Sequence, residues 1–186
     1  IWDSIAAARG DWGFNYDHII GITFINLPIE EILFFLTVPY SILFIYESIG
    51  LYIRDKKIIL NNYVFILVAA ILIVIAIIFN DQYYTFTVLI FTVLSLLISV
   101  FFFREILQSK VYWITIAVTF VPFLIFNFVL TYIPVVVYSQ ESIWGIRFIS
   151  IPIEDFFYSY SMISFWILMY SLKERKIKFS INFNFR

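Results

Sequence analysis

The sequence predicts an all-α protein, a polytopic bundle of transmembrane helices, and three observations carry that prediction. Of the 186 residues, 63% are hydrophobic and only 13% charged, against roughly 45–50% and about 25% in soluble domains. Five continuous apolar segments each reach the about 20 residues that carry a helix across the hydrocarbon core. None of them alternates with the period of two that a membrane β-strand needs.

The five predicted spans fall at 28–48, 59–79, 83–103, 111–130 and 151–172. The first and fifth open on Pro28 and Pro152, which suit a first helical turn because the missing N–H costs nothing there. Apolar character continues upstream of both prolines, over 21–26 and 142–150, so these two starts are open by several residues. Arg54, Lys56 and Lys57 follow the first span, whereas Asn80-Asp81-Gln82 after the second contains no Lys or Arg. Arg104 and Lys110 separate the third and fourth spans, and Lys173, Arg175, Lys176 and Lys178 follow the fifth. Basic loops thus alternate with poor ones. The positive-inside rule then predicts a multi-pass protein of the cell (inner) membrane with a cytoplasmic C-terminus. Both proline-led spans run from the outer side inward. Trp2, Trp12 and Trp144 are expected in the outer aromatic belt, and Trp113 in the inner one.

Two stretches 124 positions apart read almost identically. They are Gly21-Ile-Thr-Phe-Ile-Asn-Leu-Pro-Ile-Glu30-Glu31-Ile-Leu-Phe and Gly145-Ile-Arg-Phe-Ile-Ser-Ile-Pro-Ile-Glu154-Asp155-Phe-Phe-Tyr. The chain accordingly divides into 1–50, the C-terminal part of a first repeat; 59–79, a linker helix; 80–172, a second repeat; and 173–186, a basic cytoplasmic tail. Two spans precede the motif helix in the second copy. Two more are expected upstream of Trp2, giving seven helices in two three-helix repeats plus a linker. The chain opens on Ile and is expected to be N-terminally truncated.

Several chemistries are excluded at once. A net charge of −1 offers no field for nucleic acid, and zero cysteines rule out disulfides and thiolate chemistry. A single histidine, His18, cannot build a histidine-ligated metal centre and reads as a surface bystander. No Gly-rich nucleotide loop is present, nor an Asp-rich pair of the kind that holds magnesium diphosphate.

Four carboxylates remain: Glu30, Glu31, Glu154 and Asp155. One reading makes them acidic first turns that complement the helix dipole. The other makes them functional, because apolar residues flank each pair and charge inside a membrane is costly. Neighbours on a helix point about 100° apart, so one member of each pair can face a chamber while the other caps or hydrogen-bonds. Close carboxylates in low dielectric cannot all ionise, so a neutral acid can donate a proton and an ionised neighbour can accept one. The sequence does not assign the members. Arg147 lies seven residues before Glu154, on the same face if the helix extends upstream, where it is a counter-ion or an interfacial arginine; Thr23 stands in its place in the first copy. Asn127 is expected to form an interhelical hydrogen bond. Rings near the acids, Phe24, Phe34, Phe35, Phe148, Phe156, Phe157 and Tyr158, can present π-faces to a cation.

These motifs resemble the repeated motif of the membrane lycopene cyclases, the heterodimeric and fused type rather than the flavin-dependent one. Trp2-Asp3 with Arg9-Gly10-x-Trp12-x-Phe14 is similar to the stretch before the first motif. Asn127-Phe-Val-Leu130-Thr-x-x-Pro134-Val-Val-Val-Tyr138 is similar to that before the second. The resemblance runs from Trp2 to about Tyr170. It implies a lycopene β-cyclase, an isomerase (intramolecular lyase) that closes the ψ-end of a linear carotene to a β-ionone ring. The reaction is redox-neutral and needs no flavin, metal or other cofactor. Protonation at C2 leaves a tertiary cation at C1, the C5=C6 bond attacks it, and loss of the C6 proton completes the ring. By the motif match Glu30, Glu31, Glu154 and Asp155 are the catalytic candidates. Phe34, Phe35, Arg147, Phe156, Phe157 and Tyr158 are candidates for binding substrate and stabilising the cation. The implied partners are a lipophilic polyene, lycopene or a related carotene, membrane lipid, and other carotenoid enzymes, with no nucleic acid. Alternatives are another carotenoid end-group enzyme, of hydratase or prenyl-transfer type, and a proton-coupled carrier.

Overall fold

The computed structural model describes the backbone of residues 2–184 and the side chains of 3–174. The side chains of Trp2, Arg175, Lys176 and Lys178, assigned above to the interface and the tail, lie outside the described residues. Seven helices dominate: α1 (Trp2–Arg9), α2 (Ile29–Tyr52), α3 (Asn62–Ile78), α4 (Tyr83–Phe102), the single turn α5 (Arg104–Leu107), α6 (Lys110–Tyr132) and α7 (Ile153–Asn184). Each of the five apolar segments is helical, so the all-α expectation holds.

Three of these helices, α2, α4 and α6, are long and apolar enough to cross a membrane among the described residues. Helix α3 is as apolar but has 17 residues. Helix α7 is less hydropathic for a structural reason. It turns Ser159, Ser161 and Ser164 into the interior rather than presenting a purely apolar surface.

Helix α4 is the centre of the bundle, packed between α3 and α7, while α2 packs on α6 and α7. Leu89, Val93 and Leu96 of α4 meet Ala69, Leu72 and Ala76 of α3 and Ile163 and Ile167 of α7 in one buried cluster. Ala69 and Ala76 keep the α3–α4 approach close, which is how helices gain packing when the surrounding solvent is equally apolar. Outward faces stay greasy: Leu36, Tyr40 and Phe44 on α2 and Val121 and Ile125 on α6 are exposed. An apolar surface of that extent is suited to lipid.

The apolar runs upstream of the two prolines are not helical. Strands β2 (Thr23–Phe24) and β3 (Leu27–Pro28) form one hairpin; β5 (Arg147–Phe148) and β6 (Ile151–Pro152) form another. Pro28 and Pro152 are therefore the last residues of hairpins, one position before the helices the sequence reading had them begin. Tight two-residue hairpins need positive φ at the first central residue. Ile25 (φ 50) and Ile149 (φ 58) supply it, and Asn26 (φ 63) follows in the first hairpin. A β-branched residue in that region costs of order 1–3 kcal/mol, so the surrounding contacts must hold each turn. They do so in the same way twice. The Ile29 N–H donates to the Ile22 carbonyl at 2.9 Å, and the Ile153 N–H donates to the Ile146 carbonyl at 3.0 Å.

A third ladder joins the segments after α1 and α6. Strand β1 (Trp12–Phe14) pairs antiparallel with β4 (Val136–Tyr138), Gly13 facing Val137. At the opposite end of the bundle the two basic loops meet. The Ile58 N–H donates to the Gln108 carbonyl at 2.7 Å, and the Lys110 N–H to the Lys56 carbonyl at 3.3 Å.

Candidate active site

A cavity of about 640 Å³ lies between α2, α6 and α7, bounded at the hairpin end by α1, β1, β4 and the start of α4. Its lining on α2 runs from Glu30 to Ile45, about 22 Å of helix at 1.5 Å per residue. Most of that length is apolar, with Phe34, Val38, Ile42, Phe123, Phe126 and Met162 among the walls. Carboxyl groups gather at the hairpin end only: Asp3, Glu30, Glu31 and Asp155.

Each acid pair is split by the 100° turn between helical neighbours. The first member of each pair reaches back to the loop. Glu30 Oε1 accepts the Ile20 N–H at 2.7 Å, and Glu154 Oε1 accepts the Trp144 N–H at 2.5 Å. These two loop amides are again 124 positions apart. Glu154 also accepts the Thr85 hydroxyl of α4 at 2.7 Å and is 1% exposed, away from the cavity lining. The backbone N–H is a fixed donor, so these contacts lock each hairpin over its helix.

The second members differ from each other. Asp155 accepts three hydrogen bonds, from Tyr84 Oη at 2.6 Å, Asn127 Nδ2 at 2.9 Å and Tyr138 Oη at 2.9 Å. Burial first, and then the Asp155 carboxylate, push the Tyr138 hydroxyl well above the usual phenol range, which keeps it a donor. Glu31 has no hydrogen-bond partner among the described residues and faces the same cavity. Its charge neighbour is Asp3 of α1, whose carboxyl is 7% exposed and is pushed up to about 6 by burial.

Helix α1 is held in place by Asp11. The buried Asp11 carboxylate pairs with Arg9, which lies 4.4 Å from the Tyr83 ring centroid, and the Asp11 carbonyl accepts the Ser139 N–H at 2.9 Å.

The aromatic candidates separate likewise. Phe34 and Tyr158 line the cavity. Phe35 stands edge-on to Phe34 at 5.3 Å, outside the lining. Phe156 packs against Phe120, Phe123 and Phe148, and Phe157 lies against the core with its carbonyl accepting the Thr92 hydroxyl. Arg147 is not aimed at the acids. The strand that replaces the expected helix turns it outward, where it donates to the Ser150 carbonyl at 2.8 Å and lies 5.9 Å from the Tyr138 ring centroid. Asn127 makes the interhelical bond expected of it, to Asp155.

One tryptophan expectation changes. Trp12 is 7% exposed and forms cavity wall, because strand β1 folds it inward. Trp113 is half-buried, stacked on Phe65 with its Nε1 donating to the Leu107 carbonyl. His18 is exposed, in a short 3-10 turn.

Asp3, Tyr84 and Tyr138 were not picked out as site residues. The repeat could have found two of them. Extended upstream without a gap, the 124-residue offset sets Asp3 against Asn127 and Phe14 against Tyr138.

The family model for lycopene cyclase matches residues 1–49 and 81–172. The chain belongs to the lycopene cyclase family. It is an enzyme that cyclises a carotene in carotenoid biosynthesis, and the family together with its three long apolar helices makes this cyclase a membrane protein. The stretch between the two matched segments, 50–80, contains α3. No curated protein and no solved structure matches the chain.

Proposed function

We propose that Glu31 is the general acid and Asp155 the general base of lycopene cyclisation, with Glu30 and Glu154 as positioning residues. One contrast carries this reading: Asp155 is held by three donors and Glu31 by none among the described residues, at the same end of the same cavity. Hydrogen bonds to a carboxylate stabilise its ionised form, whereas a carboxyl among apolar groups without donors is more stable carrying its proton.

The polyene lies along the apolar slot with one ψ-end at the carboxyls. Glu31 gives its proton to C2, and C1 becomes a tertiary cation. The C5=C6 π pair forms the C1–C6 bond and moves the positive charge to C5. Asp155 takes the C6 proton, and the electrons of that C–H bond restore C5=C6 as the β-ring double bond. One proton enters and one leaves, with no change of oxidation state. The faces of Phe34, Tyr158 and Trp12 surround the charge, each contact worth about 2 kcal/mol or more when desolvated, and the Asp155 carboxylate stabilises it electrostatically before acting as base.

The same reading treats α2, α3, α4, α6 and α7 as five spans and residues 1–50 and 80–172 as two copies of one unit. The recurrent hairpin bonds and the facing of Gly13 and Val137 support a duplication. The contact between the two basic loops at the end away from the hairpins supports a cytoplasmic side there and an outward-facing set of acids.

Co-expression in a lycopene-accumulating bacterium, with pigment chromatography, tests the assignment. The chain is expected to convert lycopene to a cyclic carotene, and Glu31→Gln to leave it linear. Cyclisation of preformed unlabelled lycopene by membranes suspended in D2O should place one deuterium at C2 of each ring. Wild-type yields from Glu31→Gln would overturn the acid assignment.

A further inference from the structure

The geometry points to Asp3 as the proton-supplying partner of Glu31, a positioning residue that returns the acid to its protonated state between turnovers. The inference rests on Glu31 being the general acid. It starts from a mismatch in the chemistry: Glu31 loses a proton to C2 while a different group, Asp155, gains one from C6. Each turnover leaves the two carboxyls in swapped protonation states, and Glu31 needs a donor.

Asp3 has the right position. It lines the hairpin end of the cavity, is buried, and is near enough to Glu31 for their charges to interact. Its place in the sequence matches that of Asn127, which bonds the second acid of the other unit directly. At that matching position the cyclase carries an amide beside its base and a carboxyl beside its acid. An amide can only hold a carboxylate; a carboxyl can hand over a proton.

The surroundings leave Asp3 free to do so. The titratable groups sharing its cavity are Glu30 and Glu31 on α2, Tyr84 on α4, Tyr138 on β4, and Asp155 and Tyr158 on α7. No cation is among the described lining residues, Arg9 on its own helix is bound to Asp11, and the positive chain terminus lowers the Asp3 carboxyl less than burial raises it. Burial brings the Asp3 carboxyl to about 6, so it exchanges protons near neutral pH. The transfer balances: Asp3 gives H⁺ to the Glu31 carboxylate and is reprotonated from water, and Asp155 releases its H⁺ to water.

Asp3→Asn tests this in membranes carrying the full chain, assayed with lycopene in liposomes across a pH series and normalised to the amount of folded enzyme. Wild-type turnover is expected to fall as pH rises through about 6, where Asp3 loses its proton. Asp3→Asn should lower the rate by at least about tenfold and abolish that limb, and Asp3→Glu should restore both. A wild-type rate and profile in Asp3→Asn would overturn the inference, and so would a lower rate with the limb unchanged, which marks a purely structural role. Activity in Glu31→Gln would instead overturn the acid assignment beneath it.

Discussion

The two hairpin–helix units share a backbone and differ in what surrounds the second acid. In both, a glycine at positive φ leads into a hairpin turned at an isoleucine, a proline closes it, and a glutamate one residue inside the helix binds the amide ten residues back. Around the next position the likeness ends. Asp155 has Asn127 and Tyr138 beside it, where Glu31 has Asp3 and Phe14 at the matching positions. Under the proposed assignment, repetition is kept where the acid must be placed and lost where its protonation must be set. A pair of equivalent carboxyls would serve badly as donor and acceptor, since both would favour the same state.

Removing each second acid should break the comparison most sharply. General acid or base catalysis contributes about 10²–10⁴-fold, and losses of that size are expected from both Glu31→Gln and Asp155→Asn. The products should differ. Without Glu31 no cation forms, and chromatography should show lycopene alone. Without Asp155 a cation can still form, and water capture or loss of another proton should leave small amounts of hydrated or isomeric end groups. Hydrated products from Glu31→Gln and none from Asp155→Asn would reverse the two roles.

The Asp3 environment predicts an effect on stability opposite to that on activity. The Asp3 carboxyl is raised from 3.8 to about 6 in the folded protein, so between these values the folded state binds more protons than the unfolded one. Stability from this group is fully present below about pH 4 and declines as pH rises through 6, by up to roughly 3 kcal/mol. Asp3→Asn, which does not ionise, should therefore melt higher than the wild type near pH 8, with the gain gone by about pH 4. A constant difference across that range would remove the buried, titrating Asp3.

Next in size is the Tyr138 hydroxyl. Tyr138→Phe makes the second unit resemble the first, which has Phe14 there. A hydrogen bond to a charged group is worth about 1.5–3 kcal/mol, so turnover should drop by about 10- to 100-fold while Tyr84 and Asn127 still hold Asp155. Wild-type rates would show that the three donors do not set the state of Asp155.

The long apolar helices and the acid pairs were legible because the bilayer fixes a helix length and makes each carboxylate conspicuous. The hairpins were not, because an apolar run before a proline fits helix or strand equally, and the deciding feature is positive φ at two isoleucines. Burial of Trp12 was hidden for a related reason: lipid and protein interior select the same residue types, so a tryptophan near a span end looks like a belt residue wherever it points. Tyr84 is one of 13 tyrosines, chosen by α4 meeting α7 across 71 residues, and carries no local signal. Asp3 was reachable only through the 124-residue offset, because residues 3–18 and 127–142 share no identical residue.

The smallest effects belong to the first acids, and they decide whether placement and chemistry are truly separate. Glu154→Gln keeps a carbonyl oxygen where Oε1 accepts the Trp144 N–H and the Thr85 hydroxyl. Only Oε2 changes, and it has no partner to lose, so a new unpaired amide there should cost about 1 kcal/mol. Turnover should stay within about threefold of wild type. Glu154→Ala removes the acceptor itself and leaves a buried backbone N–H unpaired, a loss of about 1–3 kcal/mol in stability. Glu30→Gln and Glu30→Ala should follow the same order with smaller values, because the Ile20 amide is exposed to alternatives. Thermal melts beside pigment yields separate the outcomes. If Glu154→Gln were as inactive as Asp155→Asn while melting normally, the first acid would be part of the proton chemistry, and the two units would differ in degree rather than in role.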